Sequence, residues 1–294
     1  MADTASISTS AALARRFWQS SSPAVRLSLL WILAMVAVAA FADWIAPFDY
    51  TAMDLRNRLA PPVWMERGSW AHPLGTDDIG RDVLSRVIYS IRLSLFVALL
   101  GTLIGAAIGT SIGFLAARFR GWVDDLVTTA IDFQSALPFF ILALATLAFL
   151  GNNFVIFVAV MGVYGWERYA RIVRGMALAA QAQGYAVALR TLGASPARIY
   201  AAHILPNIAS AIIVNMTLNF PETVLLETSL SFLGIGIQPP MTSLGNMVGF
   251  GRDYLLTAWW IAVSPAVVIF LTTLAFSLIG DWLRDRLDPT VKAR

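Results

Sequence analysis

Long apolar runs alternate along the chain with short polar stretches that carry arginine, proline or tryptophan. A helix needs roughly 20 predominantly apolar residues to cross a hydrocarbon core of about 30 Å. Six stretches read as spans on this basis: 27–46, 94–117, 126–150, 154–169, 207–227 and 259–279. Pro138 is expected to kink the third. Trp259 and Trp260 are expected to anchor the sixth at an interface. The pattern predicts an all-α, polytopic membrane helical bundle of about six transmembrane helices. It divides the chain into an N-terminal tail (1–26), a first span with an extracytoplasmic segment (27–93), a core transmembrane region (94–281) and a C-terminal tail (282–294). The first span has a long polar leader and exceeds the h-region of a usual signal peptide, so it reads as an uncleaved anchor.

Three stretches between or within the spans have patterns of their own. Residues 75–93 read as an amphipathic interfacial helix, with Thr76 as N-cap and Asp77 and Asp78 at the positive end of its dipole. Ile79, Val83 and Val87 recur every fourth residue there, and Arg81, Arg86 and Arg92 are expected to turn toward headgroups. In the second span Gly101, Gly105, Gly109 and Gly113 form an unbroken four-residue repeat. Such a stripe lets a second helix approach closely, without saying which. Between spans four and five, residues 177–192 are alanine-rich and helix-prone. Gly193 follows at a C-cap position, then Ser195 as N-cap with Pro196 at the first helical position. A second short helix is expected over 197–205, broken at Pro206-Asn207. The two helices would form a rigid elbow, read either as a docking element or as a plain connecting hairpin.

Composition narrows the chemistry. Apolar residues make up 58% of the 294, and charged residues only 13%, about half the share in an average soluble domain. The chain lacks cysteine, and its two histidines, His72 and His203, are far apart, so thiolate chemistry and H-E-x-x-H metal sites are excluded. Lys292 is the only lysine, and it does not follow a glycine-rich turn. A phosphate-binding P-loop is therefore excluded, and any nucleotide-driven work falls to another polypeptide. The arginines set the expected orientation. With both termini in the cytoplasm, the cytoplasmic side holds Arg15, Arg16, Arg26, Arg118, Arg120, Arg168, Arg171, Arg174, Arg190, Arg198 and the four basic residues of the tail. The opposite side holds Arg56, Arg58, Arg67, Arg81, Arg86, Arg92 and Arg252, the smaller share, as the positive-inside rule requires.

Polar groups inside a span face a bundle interior or water. Asn215, Asn219 and Glu222 share one face of span five, beside Pro221. They read equally as a border of a translocation path and as interhelical hydrogen-bonding groups. Glu227 lies near the outer end of the same span and Asp132 near the start of span three.

Four separated motifs resemble one family. Gly193, nine residues, then His203-Ile204-Leu205-Pro206 is similar to the end of the cytoplasmic loop motif in permease subunits of binding-protein-dependent ABC importers, in the form of the dipeptide/oligopeptide/nickel branch. The stretch His72-Pro73-Leu74-Gly75-Thr76-Asp77, continuing through Gly80 to Arg86, resembles that branch's segment before its second span. Ser229 to Gly236 with Gln238-Pro239-Pro240 resembles its loop after span five, and Gly280-Asp281 through Pro289 its C-terminal end. The resemblance implies a type I importer permease with an ATPase-coupling loop at 175–206 that carries Ala188, Gly193, Ala194, Ser195, Pro196, His203, Leu205 and Pro206. It implies a second homologous permease, most simply in a heterodimer. It further implies two cytoplasmic ATPase subunits holding ATP and magnesium, an extracytoplasmic substrate-binding protein, and a small peptide or related solute moved across a bacterial inner membrane. One position departs from the family. Its loop usually begins Glu-Ala-Ala, where this chain has Val187-Ala188-Leu189. An ion-coupled secondary transporter is the alternative reading, although no clear internal repeat supports it. A membrane enzyme would need a nucleophile–base pair or metal cluster, and none is apparent. Nucleic acid is not an expected partner.

Overall fold

The computed structural model describes residues 21–287. The motif end at Pro289, the tail from 288 onward and most of the N-terminal tail, including Arg15 and Arg16, lie outside the described residues. The described residues form ten principal helices: α1 (Pro23–Ala40), α2 (Val83–Phe119), α3 (Gly121–Ala136), α4 (Phe139–Leu150), α5 (Phe154–Val163), α6 (Trp166–Gln181), α7 (Gly184–Thr191), α8 (Pro196–Phe232), α9 (Leu244–Gly251) and α10 (Trp260–Leu287). Among the described residues α1, α2, α8 and α10 are each long and apolar enough to cross a membrane alone. The pair α3–α4, bent by 90° at Leu137-Pro138, is a fifth, broken span. Proline cannot donate its backbone bond and displaces the preceding turn, so the expected kink at Pro138 is a right-angle break. The pair α5–α6, of 10 and 16 residues, follows but does not by itself meet the length and apolarity of a sixth span. It too is broken, at Gly165, whose φ of +76° places it in the left-handed region.

The glycine stripe finds its partner in this broken pair. A Cβ on Gly105 would lie 2.8 Å from the Tyr164 carbonyl oxygen, and one on Gly109 would lie 2.3 Å from that of Trp166. At Gly113 it would meet the Ala170 carbonyl oxygen at 2.7 Å, and at Gly101 the Met161 Cβ at 3.0 Å. The four glycines thus lay α2 directly onto the backbone of α5 and α6, on both sides of the Gly165 break. Without a hydrophobic drive between helices in lipid, such close packing is a main source of association.

Three apolar clusters divide the bundle along its length. One, with Val83, Met247, Phe220 and Trp260, fills the end where α2 begins. Another, with Val97, Leu147, Phe157 and Leu230, joins α2, α4, α5 and α8. The third, with Ala117, Val173, Ile199 and Ile204, fills the end where α2 stops and the elbow stands. The start of α1 packs beside the last half of α10, and the end of α10 lies beside Asn207. The described chain therefore enters and leaves at the elbow end.

Two expected elements are corrected. Residues 75–82 are not helical. Asp82, not Thr76, caps α2, its carboxylate accepting the Ser85 backbone N–H at 2.7 Å. Asp77 serves tertiary partners instead of a helix dipole: its carboxylate accepts Arg81 Nε at 2.7 Å, Arg86 Nη1 at 2.5 Å and the backbone N–H groups of Ile79 and Arg81. Arg86 is buried against Asp77 and so cannot take the expected headgroup role, and Arg92 pairs with Asp43 at 2.9 Å. Trp260 is likewise buried, donating its indole N–H to the Thr76 carbonyl at 3.1 Å. The second correction concerns Pro206. No break occurs there, because α8 runs from Pro196 to Phe232 as one rod. Its residues Ile199–Ile204 form π-helical turns, with the Leu205 N–H bonding back to the Tyr200 carbonyl. The wider turns leave room for the proline ring that a tight α-helix would reject. The rod also passes unbroken through Pro221.

Two predictions test this packing by thermal melting of the purified protein in detergent. Gly109→Ala forces a methyl onto the Trp166 carbonyl and lowers stability by about 1–3 kcal/mol, whereas Gly175→Ala, with nothing within 4 Å, is neutral or stabilising. Burial pushes the Asp77 carboxyl up, but Arg86 and Arg81 outweigh it and hold it below the ordinary 3.8. Its contribution is thus present above pH 3.8 and is lost as pH falls through the lowered folded value. Asp77→Asn strands buried Arg86 and costs about 3–5 kcal/mol at neutral pH, and it removes that acid-dependent step.

Candidate functional site

The elbow is held by three local devices. Helix α7 ends in a Schellman motif around Gly193, at φ +79°. The Gly193 N–H donates to the Arg190 carbonyl and the Ala194 N–H to the Leu189 carbonyl, each at 3.0 Å. Ser195 then caps α8, with Pro196 in its first turn. At the root, Gln181 is a buried hub: its amide nitrogen donates to the Ala117 carbonyl at 3.1 Å and to the Tyr200 hydroxyl at 2.7 Å. Its amide oxygen accepts Arg190 Nη2 at 2.8 Å. The end of α2, the end of α6, α7 and the start of α8 are thereby tied at one point. A hollow of about 480 Å³ opens beside it, lined by Arg118, Arg120 and Arg190 and by no carboxylate.

The structure brings together Ala188, Gly193, Ala194, Ser195 and Pro196 at the tip, where all but half-buried Ala194 are exposed. His203, Leu205 and Pro206 are not at the tip but along the rod of α8. Val187, at the position where the family usually has glutamate, is 53% exposed, and Leu192 beside the turn is 83% exposed. The outer surface of the elbow exposes Val187 and Leu192 beside polar Gln183, Thr191 and Ser195, with Arg190 and Arg198 as its charges. The expectation of one helix over 177–192 is corrected: α6 ends at Gln181 and α7 starts at Gly184.

The other candidate residues lie further along the same rod, toward α5 and α6. Asn215 bonds back to the Ala211 carbonyl at 2.8 Å and lines a cavity of about 370 Å³ with Met176, Asn207 and Arg284. Asn219 is buried, its side-chain amide 3.0 Å from where a Cβ on Gly165 would be. Glu222 accepts Arg168 Nη1 at 2.6 Å and the Tyr164 hydroxyl at 3.2 Å. Arg168 and Glu222 are each nearly half exposed, and an ion pair so exposed contributes only about 0.2–1 kcal/mol. Sequence reasoning counted Arg168 only as a positive-inside residue. The available signal was an opposite charge in each of two neighbouring spans, which need a partner in lipid. Glu227 stands apart, fully buried, accepting the hydroxyls of Ser231 at 2.8 Å and Ser94 at 3.2 Å. Ser94 also accepts the Leu244 N–H at 3.1 Å, so Glu227 helps to fasten α9 to α2 and α8. Asp132 pairs loosely with Arg171 at 3.6 Å.

Residues 109–293 match the family described as the binding-protein-dependent transport system inner membrane component. Residues 13–62 match the N-terminal transmembrane domain of oligopeptide transport permease C. The di/tripeptide transport system permease protein DppC of Pseudomonas aeruginosa is 37% identical over 95% of this chain and 92% of its own. The dipeptide transport system permease protein DppC of Escherichia coli is 38% identical over 90% of this chain and 89% of its own. Among solved structures, a crystal structure of an amino acid ABC transporter with histidines superposes with a TM-score of 0.51 at 18% identity, over 69% of this chain and 95% of that one, a likeness of fold.

Proposed function

The chain belongs to the binding-protein-dependent transport system inner membrane components, and on that premise we propose that it carries short peptides across the inner membrane with an energy supply borrowed through its elbow. It is a multi-pass permease subunit of an ABC importer. Peptides as the cargo are supported by the names of its relatives, the di/tripeptide and dipeptide permeases. A second, homologous permease completes the path as a heterodimer. Two ATPase subunits, which hold ATP and magnesium, sit on the elbow, and an extracytoplasmic binding protein delivers cargo at the opposite end. Both termini and the elbow are cytoplasmic. The arginine distribution supports this orientation, as do the elbow-end positions of the start of α1 and the end of α10.

One observation carries the coupling: the elbow runs directly into the first turn of the same helix that bears Asn215, Asn219 and Glu222. A push on the tip needs no intervening joint to reach them. Closure of the ATPases on ATP shifts the elbow, α8 moves as a lever, and the bundle alternates between outward and inward access. Val187 removes the glutamate that the family usually offers there, so docking rests on the apolar surface of Val187 and Leu192 with Arg190 and Arg198 around it.

Gly193→Pro tests this reading. Proline cannot take the left-handed φ of Gly193 and deletes its N–H bond to Arg190. The expected result is normal membrane insertion, loss of ATPase subunits on co-purification and loss of uptake into proteoliposomes. Wild-type uptake by this variant contradicts the docking role.

A further inference from the structure

The break at Gly165 gathers polar groups that the bundle itself does not use. Four of the seven buried side-chain polar atoms without a hydrogen-bond partner among the described residues lie here: Glu167 Oε2, the Tyr169 hydroxyl and both amide atoms of Asn219. The Tyr169 hydroxyl lies beside the Asn219 amide, yet neither reaches a partner in acceptable geometry. Buried polar groups are nearly always paired, so a cluster of unpaired ones needs an explanation. Helix α6 starts at this same place with no side-chain cap hydrogen bond and with Glu167 in its first turn, so its positive dipole end faces the cluster. Arg168 and Glu222 stand at the mouth, joined at 2.6 Å and each nearly half exposed. Charged side chains inside a span face water or another protein, not lipid. In secondary transporters, discontinuous helices present their half-helix ends to the cargo.

We propose that Arg168, Glu222 and Asn219, at the Gly165 break between α5 and α6, form a cargo site that reads the two charged ends of a short zwitterionic peptide. The proposal rests on the reading of the chain as a peptide permease. The Arg168–Glu222 pair is the resting state of the site. An incoming peptide exchanges partners with it: its ammonium group donates to Glu222, and its carboxylate accepts from Arg168 near the start of α6. The exchange is easy because a half-exposed pair contributes little by itself. Glu167, on the same first turn, gives the site one more negative than positive charge, so the amino end of the peptide is the end drawn to the Glu222 side. Asn219 offers both a donor and an acceptor, the complement of a peptide bond. Beyond the adjacent Tyr169 hydroxyl, its amide atoms have no hydrogen-bond partner among the described residues.

The test uses the complete transporter, with its partner permease, ATPases and binding protein, in proteoliposomes. Dialanine, N-acetyl-dialanine and dialanine amide are supplied on saturating loaded binding protein, so that its own affinity drops out. The double variant Arg168→Gln with Glu222→Gln keeps a hydrogen-bonding pair but removes both charges. It is expected to lower dialanine uptake by about tenfold or more, the worth of a charge-assisted hydrogen bond. Glu222→Gln alone is expected to abolish the preference for dialanine over its N-acetyl form, while the preference over the amide remains. Arg168→Gln alone is expected to do the reverse. Wild-type uptake by the double variant, or an equal fall for all three peptides in the single variants, overturns the site while leaving the permease reading intact. If the unaltered transporter moves none of the three peptides, the peptide reading falls and the site falls with it.

Discussion

The arrangement depends on one contact: the bare glycine face of α2 lying on the backbone of α5 and α6. A broken helix in a bilayer is poorly supported, because its two halves are short and the backbone at the break is not covered by its own turns. The stripe from Gly101 to Gly113 solves this by pressing a continuous 37-residue helix across the gap. Side chains there would push α2 away and leave Gly165 unsupported. With the stripe in place, the start of α6 is fixed, and so are Tyr164, Arg168 and Tyr169 around it.

The second long rod, α8, faces that break from the other side and carries Asn219 and Glu222 to it. Its own far end is the elbow. The π turns over Ile199–Ile204 are the reason one rod can do both, since they carry the helix through Pro206 where an α-helix would stop. The elbow root is fixed independently by Gln181, which bonds the end of α2 and the start of α8 together. The tip is thus joined to the polar face of α8 through a tied root and a continuous helix.

Much of this was legible in the sequence, and what was missed has physical reasons. The caps of the elbow were readable because Gly193, Ser195 and Pro196 act on their own neighbours within a few residues. The glycine register was readable as a close-packing face, but its partner was not, since nothing in 101–113 specifies a carbonyl of Trp166. Asp77 looked like a helix-start residue because local charge rules suggest that use, and only the fold brings buried Arg86 to it. The proline at 206 was read as a stop because the rule for α-helices was applied to turns that are π-helical. The Arg168–Glu222 pair joins two spans distant in sequence, so no spacing rule could reveal it. The polar face of α8 was found from its period alone, but its partners were not.

If α8 acts as a lever, the elbow and the polar cluster move as one rigid body. Because the chain has no cysteine, Ala197→Cys and Ser229→Cys place two spin labels on α8 without background from this chain, one at each end of the rod. Their separation is about 48 Å at 1.5 Å per residue. Electron–electron double resonance in the assembled transporter is expected to give a single distance, unchanged between the nucleotide-free and ATP-bound states. A second, shorter distance populated on ATP binding contradicts it, because it would place a joint between the elbow and Glu222.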